Sequence, residues 1–441
     1  MASTYLTRTL GTPTLNTKYT FSVWVKRSTP STANTLIGGS SSAPDTFIIN
    51  SNNKLTYYAN DGSSASISTT RLLRDTSAFY HLVLAVDTTQ STASDRIKMY
   101  INGTLQTAFD TSTYPAQNYV NKLNSAVPHR IGQNPTYNSE TFDGLMTHIH
   151  FIDGTQYQAS DFGEFDANGV WIPKLTPSVT YGNNGFFLKF NEGALGTDSS
   201  PNGNNFTVNG SLTPAKDTPT NVYATMNSLD NYIAGGTFAN GNNTITTVNT
   251  GYTYNTSTMG VNKGKWYWEC KWSAQPTGSA NQVLVGIAKR TSPTTTTWLG
   301  SADYTYAYQG TGGVHNSNTI LVTYTTWSIG DIIGVALDMD NNRLYFSRNG
   351  TWQGSSDPAN GTNPISITAP DSTSGDSGFY FPAFGDGNNS LQETGQFNFG
   401  NGFFGTTAVA SAGSNGNGSI FEYDCPSGYY ALNLKNLAQY G

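Results

Sequence analysis

The chain is 441 residues long, 13% aromatic and only 11% charged, with 26 Tyr, 46 Gly and a formal net charge of −6. That length holds two or three domains, each with its own core, and the aromatic content excludes a disordered polar chain. No run of Lys or Arg supplies the electrostatic footprint of a nucleic-acid binder, and no stretch nears the ~20 apolar residues of a membrane span. Ser, Thr and Asn must solvate the surface; they compete with the helical backbone and suit short strands with polar outer faces.

The opening MASTYLTRTLG lacks the apolar segment of a secretory signal, which predicts synthesis and folding in the cytoplasm. Phe21, Val23 and Val25 then alternate with Ser22, Trp24 and Lys26, a strand with one buried face. Tyr57-Tyr58-Ala-Asn60-Asp61 ends a further strand at a glycine turn and is placed to line a concave pocket. His81 to Val86 is an apolar run of strand length, the pattern of a strand covered on both faces. Arg96 to Ile101 leads through Asn102-Gly103 into Thr104 to Phe109; two strands joined by Asn-Gly form a hairpin, because a type I′ turn needs positive φ at both central residues.

His148 and His150 alternate along a strand, so both share a face and reach one metal, but no third ligand stands at a suitable spacing; local packing is the reading. Asp161, Glu164 and Asp166 resemble the acid run of some glucanases without its third acid, and glycan hydrolysis needs two carboxylates flanking the bond. Gly185 to Phe190 returns a strand to the first sandwich. From Gly193 to Asp230 the chain is rich in Asn, Gly, Pro and Thr, and an irregular linker is expected.

Beyond it, Lys265 to Trp272 is an aromatic strand. Trp298, Tyr304, Tyr306 and Tyr308 lie in a Thr-rich region, and the three alternating tyrosines share one face, either core packing or a stacking platform. Asp338-Met-Asp340-Asn-Asn342 imitates the start of a calcium loop without its sixth-position glycine and distal Glu, and reads as a tight turn. Trp352, past the Asn349-Gly350 turn, is expected to face the core. Residues 410–419 form a loop, and Tyr429 to Leu437 a closing turn or short helix. Cys270 reads as a small buried hydrophobe, with a Cys270–Cys425 bridge left open.

One internal relationship organises the whole. Arg96-Ile-Lys-Met-Tyr-Ile-Asn102-Gly-Thr-Leu-Gln106 aligns without gaps on Arg343-Leu-Tyr-Phe-Ser-Arg-Asn349-Gly-Thr-Trp-Gln353. Leu84-Ala-Val-Asp87 precedes the first and Val335-Ala-Leu-Asp338 the second. The strands opening at Lys18 and Lys265 stand in the same order ahead of both, which argues for two copies of one architecture.

The first module, with Phe21-Ser-Val-Trp-Val-Lys26, Tyr80 to Asp87, Met99-Tyr-Ile-Asn-Gly103 and Phe142 to Phe151, resembles a laminin-G-like jelly roll of the concanavalin A type. The second resembles a SPRY domain, on Gly264-Lys-Trp-Tyr-Trp-Glu269, Val285-Gly-Ile287, Gly334 to Asp338, Leu344 to Gly350, Tyr380-Phe-Pro-Ala383 and Phe397-Asn-Phe-Gly400. The expectation is an all-β chain of two such sandwiches: 1–192 laminin-G-like, 193–230 linker, 231–441 SPRY-like with a C-terminal tail. The whole arrangement is similar to structural proteins of tailed bacteriophages, which are fibres, spikes or capsid appendages.

That resemblance implies a virion-surface protein without catalysis, assembled as a homotrimer, whose partners are other virion proteins and host cell-surface polysaccharide. No nucleic acid, membrane insertion or cofactor is expected, although a structural calcium on a loop near Asp198 stays open. The alternatives are a polysaccharide depolymerase of the particle and an exported lectin-like adhesin. Tyr57, Tyr58, Asn60 and Asp61 in the first module, and Trp298, Tyr304, Tyr306 and Tyr308 in the second, are the candidate ligand-binding residues.

Overall fold

Apolar residues at every second position close two separate cores along this chain. The computed structural model describes residues 4–40, 42–191, 193–230, 235–277, 280–371 and 376–441. The chain divides into two units, Met1–Pro214 with Thr218–Thr220, and Ala215–Asp217 with Asn221–Gly441.

The first unit opens with β1 (Tyr5–Thr9), β2 (Lys18–Arg27), β3 (Asn34–Gly39), β4 (Asp45–Ile49), β5 (Lys54–Ala59) and β6 (Ala65–Leu72). It continues through β7 (Tyr80–Asp87), β8 (Ile97–Ile101), β9 (Thr104–Leu105), β10 (Phe109–Thr113) and β11 (Pro128–Ile131). It ends with β12 (Gly144–Asp153), β13 (Gly163–Phe165), β14 (Trp171–Pro173), β15 (Phe186–Leu188) and β16 (Thr207–Asn209). One sheet runs β10-β6-β5-β4-β3-β11-β1-β16 and a second β15-β12-β2-β7-β8-β9. Tyr19, Phe21, Val23 and Val25 of β2 pack against Phe47, Ile49, Leu55, Tyr57 and Ile67 of the facing sheet, the arrangement that period-two alternation dictates.

The second sheet is covered on its outer side as well. Val83, Ala85, Tyr100 and Ala159 form a small apolar cluster with Trp171 against it. Gln156 Nε2 donates to Ala85 O at 3.3 Å and Tyr157 N to Thr20 Oγ1 at 2.8 Å. Residues 155–182 thus make a strap over β2 and β7, which is why the His81–Val86 run is apolar on both faces.

The segment expected as a linker is shared between the units. β16 pairs antiparallel with β1. Asp198 takes Phe187 N and Ser200 N on Oδ1 at 2.8 Å each, and Ser200 Oγ and Asn204 N on Oδ2 at 2.8 and 2.7 Å. Both oxygens are committed to protein donors, so Asp198 is a turn staple rather than a calcium ligand. On the other side of the boundary, Ala224 and Met226 enter the second core.

The second unit begins with β17 (Thr237–Ala239), β18 (Thr244–Thr246), β19 (Tyr254–Thr256), β20 (Lys265–Thr277), β21 (Val283–Ala288) and β22 (Thr305–Gln309). There follow β23 (Gly313–Asn316), β24 (Thr319–Thr323), β25 (Ile332–Asp338), β26 (Arg343–Arg348), β27 (Thr351–Trp352) and β28 (Ile365–Ser366). Last come β29 (Phe381–Asp386), β30 (Gln392–Asn398), β31 (Phe403–Phe404), β32 (Thr407–Ala408), β33 (Tyr430–Ala431) and the helix α1 (Leu434–Tyr440). The sheets are β17-β18-β30-β20-β25-β26-β27, flanked by β28 and β33, and β19-β29-β21-β22-β23-β24. Trp266, Trp268, Cys270 and Trp272 project from β20 into the core between them.

On the outer face of β20, Tyr267 packs with Ala336 of β25, Tyr345 of β26, and Phe421, Cys425 and Tyr429 of the C-terminal tail. Trp352 joins this outer cluster instead of the core. Cys270 and Cys425 lie in different clusters on opposite faces of that sheet, both buried and free, so they form no bridge. Glu269 ties the tail down: it accepts Glu422 N and Tyr423 N at 2.9 Å, and Asn398 Nδ2 and Tyr267 OH at 3.1 Å.

Candidate functional site

On the outer face of the eight-stranded sheet, β4 and β5 present Thr46, Thr56 and Tyr58, while Phe47, Leu55 and Tyr57 point inward. Tyr57 is fully buried, and its hydroxyl donates to Asn121 Oδ1 at 2.8 Å. It belongs to the core and leaves the predicted pocket; its neighbour Tyr58 stays half-exposed on the outer face.

The strand ends in Ala59-Asn60-Asp61-Gly62, where Gly62 N returns to Ala59 O at 3.1 Å. Asn60 and Asp61 have φ of 52° and 55°, the signature of a type I′ turn, and Asn and Asp tolerate that region best among L-residues. Asp45, buried, fixes the turn by accepting Asn60 N at 2.7 Å and holds the 119–122 segment by accepting Lys122 N at 2.7 Å. Lys122 Nζ donates to Asn60 Oδ1 at 2.9 Å.

A loop of residues 132–141 crosses this face. A Cβ on Gly38 would lie 2.5 Å from Pro135 Cδ, so only glycine lets the loop cross β3. Tyr137 is 54% exposed and its hydroxyl donates to Asp61 Oδ2; that bond, with Asp61's charge, holds the phenol above its usual range. Glu140 accepts Asn134 Nδ2 at 2.8 Å and Thr35 Oγ1 at 3.3 Å. Burial, then the charges of Glu140 and Asp61, raises the Tyr58 hydroxyl. Two phenols, Asp61 and Glu140 therefore stand together where the loop crosses this face, whereas the Asn60 amide is engaged at both ends, accepting from Lys122 Nζ and donating to Ser63 Oγ at 2.6 Å. Of the residues singled out in the sequence, the structure brings Tyr58 and Asp61 together, and it adds Tyr137 and Glu140, which were not singled out. An aromatic between Pro135 and Asn138 in a polar loop was the available signal.

The second-unit candidates do not form a platform. Tyr306 and Tyr308 are buried in the main core. Tyr304 precedes β22 and falls in a separate cluster with Leu284, Ala288 and Ala307, so the three rings do not share a face. Its ring is capped by the Arg290 guanidinium at 3.8 Å. Trp298 alone of the four keeps surface open, set edge-on to His315 at 5.1 Å.

His81, His150 and four of the acids singled out in the sequence are engaged locally. Trp171 Nε1, which is always a donor, gives its hydrogen to His81 Nδ1 at 3.0 Å; His81 Nε2 then carries the proton and donates to Ser22 Oγ at 2.8 Å. The imidazole cannot act as base toward Ser22, and burial holds it neutral, lowered to about 3. His150 stacks on Phe187 at 3.9 Å and meets Tyr181 OH at 2.9 Å; among the described residues no three His, Cys, Asp or Glu side chains could hold a metal. Asp161 closes a capping box on Gln158 N at 2.7 Å, and Asp166 accepts Asn168 N and Val170 N within its own turn. Asp338 and Asp340 serve likewise, accepting Asn341 N at 3.1 Å and Gly264 N at 2.8 Å.

Two stretches of the chain match known families. Residues 2–159 match the Concanavalin A-like lectin/glucanases superfamily and residues 265–402 the SPRY domain. The chain is all-β, with a stretch like laminin-G, concanavalin-type domains followed in tandem by a stretch like SPRY domains. Among solved structures it is similar to the SPRY domain of human HERC1, at 17% identity over 35% of this chain and 86% of that one, TM-score 0.27. It is similar to the TRIM65 PSpry domain at 14% over 40% and 91%, TM-score 0.28, and to stonustoxin at 18% over 40% and 27%, TM-score 0.28. No curated protein matches the chain.

Proposed function

We propose that this chain is a non-catalytic surface component of a tailed-phage particle, which binds saccharide through the outer face of its first unit. The observation that carries the reading is the exposed Tyr137–Asp61 pair beside Tyr58 and Glu140 at the loop crossing. An exposed phenol stacks on the apolar face of a sugar ring, and fixed carboxylates take its hydroxyls. The turn and the crossing loop hold these groups before any ligand arrives, which lowers the ordering cost of binding. The likeness of the whole arrangement to phage structural proteins supports placement on a virion, as a homotrimer beside other virion proteins.

The test is saccharide binding by the full chain, on a glycan array and by calorimetry, against Tyr137→Ala. Truncating one exposed stacking ring removes about 0.5–1.5 kcal/mol, or roughly threefold to tenfold in affinity. Binding indifferent to Tyr137→Ala moves the site elsewhere; release of reducing ends from a bound polysaccharide replaces this reading with the depolymerase.

A further inference from the structure

On the same sheet, beyond the crossing loop, β1, β11 and β16 enclose a cleft of about 340 Å³ lined by Thr7, Arg8, Thr9, Pro128, His129, Arg130 and Thr207. No acid lines it, and its outward charge is Arg130, which stands opposite Thr7 across β11 and β1; Arg8 pairs with buried His129 and points to the other face. Among the described residues neither arginine has a carboxylate within ion-pair distance. Arg8 is held by Asn205 O at 2.8 Å and Asn204 Oδ1 at 2.6 Å. Arg130 lies over the Tyr5 ring at 4.8 Å, and its Nη1 donates to Gln133 Oε1 and Asn138 Oδ1 at 2.5 Å each.

Those acceptors are neutral amides and carbonyls. They fix the guanidinium planes without cancelling their charge, whereas an acid in the same place would have closed the site electrostatically. The other edge of Arg130, Nε and Nη2, has no protein partner among the described residues. A stacked, pinned guanidinium with a free edge is a preformed fork for a planar oxyanion. Thr9 and Thr207 add exposed hydroxyls beside it.

We infer that this cleft receives the anionic substituent, a carboxylate or sulfate, of an acidic saccharide whose neutral rings lie toward Tyr58 and Tyr137. The inference rests on the saccharide reading above and narrows it from glycans in general to acidic ones. Arg130 makes the paired hydrogen bonds, and the threonine hydroxyls meet the sugar.

The experiment compares two ligands of equal length on the full chain by calorimetry: a uronic-acid oligosaccharide and the same oligosaccharide with its carboxyl groups reduced to alcohols. A sulfated oligosaccharide forms a further arm that separates the two oxyanions. The wild-type chain is expected to bind an acidic ligand at least tenfold more tightly than the reduced one, with the difference shrinking as salt is raised. Arg130→Gln should bring the ratio to within about twofold, and Arg130→Lys should keep charge without the fork and fall between.

Equal binding of acidic and reduced ligands, or a ratio untouched by Arg130→Gln, overturns the inference and leaves the saccharide site standing. Absence of binding by either ligand at millimolar concentration overturns the saccharide reading itself. Because the ligand comparison and the salt series use the unaltered chain, they decide the matter even if a variant fails to fold.

Discussion

Lys18 and Asp87 stand opposite each other across β2 and β7, with Nζ 3.0 Å from Oδ2. The second unit repeats the pair as Lys265 and Asp338 across β20 and β25, at 3.3 Å. One strand further the likeness persists at the hairpin. Asn102 Oδ1 accepts His81 N at 2.8 Å, and Asn349 Oδ1 accepts Ile332 N at 2.9 Å. The two asparagines have φ of 49° and 48°, and the glycines that follow them 80° and 79°. One strand–strand–hairpin construction is used twice.

Because each unit has its own core, the two hairpins should act on separate transitions. Asn102→Ala forces a left-handed alanine, at about 1–2 kcal/mol, and strips the acceptor from a part-buried N–H, at about 1–3 kcal/mol. Asn349→Ala does the same in the second unit. In calorimetry each substitution is expected to lower one of two unfolding transitions by roughly 4–20 °C, at about 2–4 °C per kcal/mol, and to leave the other in place. Transitions that move together would show that the units unfold as one.

The two units should answer pH in opposite directions. In the first, burial lowers His81 to about 3, and His129 and His148 to about 4, with His150 well below its ordinary value. The unfolded chain binds these protons near pH 6.5 while the folded unit refuses them, so stability is full above that pH and falls as pH drops toward 4.

In the second unit, burial raises Glu269 and Asp386 to about 7 and Glu393 to about 8. Here the folded state keeps protons that the unfolded chain has released, so stability is greatest near pH 4–4.5 and declines as pH rises to about 8. Each unit of displacement is worth about 1.4 kcal/mol. Calorimetry across pH 4.5–8.5 should show the first transition rising and the second falling, with Asp386→Asn and Glu393→Gln flattening the second. Parallel movement of both would refute this assignment of buried groups.

Cys270 and Cys425, held on opposite faces of one sheet, should remain thiols. Burial raises both well above the usual thiol range, and the thiolate is the reactive form. A thiol reagent should therefore label neither residue in the folded chain and both in denaturant, without reductant. A single missing equivalent on denaturation would reveal an oxidised cysteine.

Local chemistry made the strands, the two Asn-Gly hairpins and their duplication readable in the sequence. The apolar face on both sides of His81–Val86 was readable too, although not what covers it, since the strap 155–182 arrives from far along the chain. Tyr57 and Tyr58 illustrate the limit. Adjacent strand residues point to opposite faces, so only one of them could serve a surface site, and register decides which. Tyr304 shows the same limit at a strand end, where the chain turns before β22 and the period-two rule lapses. Tyr137, Glu140 and Arg130 join the site through loop crossing and cross-strand pairing, which have no local signature.

The crossing loop gives the sharpest check on the site, because one atom can lift it. Gly38→Ala places a Cβ 2.5 Å from Pro135 Cδ while leaving the inward-facing core of β3 unchanged. Overpacking of this kind costs about 1–3 kcal/mol, and the loop yields more easily than the sheet. Displacing residues 132–141 separates Tyr137 from Asp61 and loosens the amides that pin Arg130. The first transition should fall by only a few degrees, while limited proteolysis within 132–141 accelerates and saccharide affinity drops at least as far as for Tyr137→Ala. Faster cleavage with undiminished binding would separate the loop from recognition and leave Trp298, half-buried beside His315, as the next candidate aromatic to substitute.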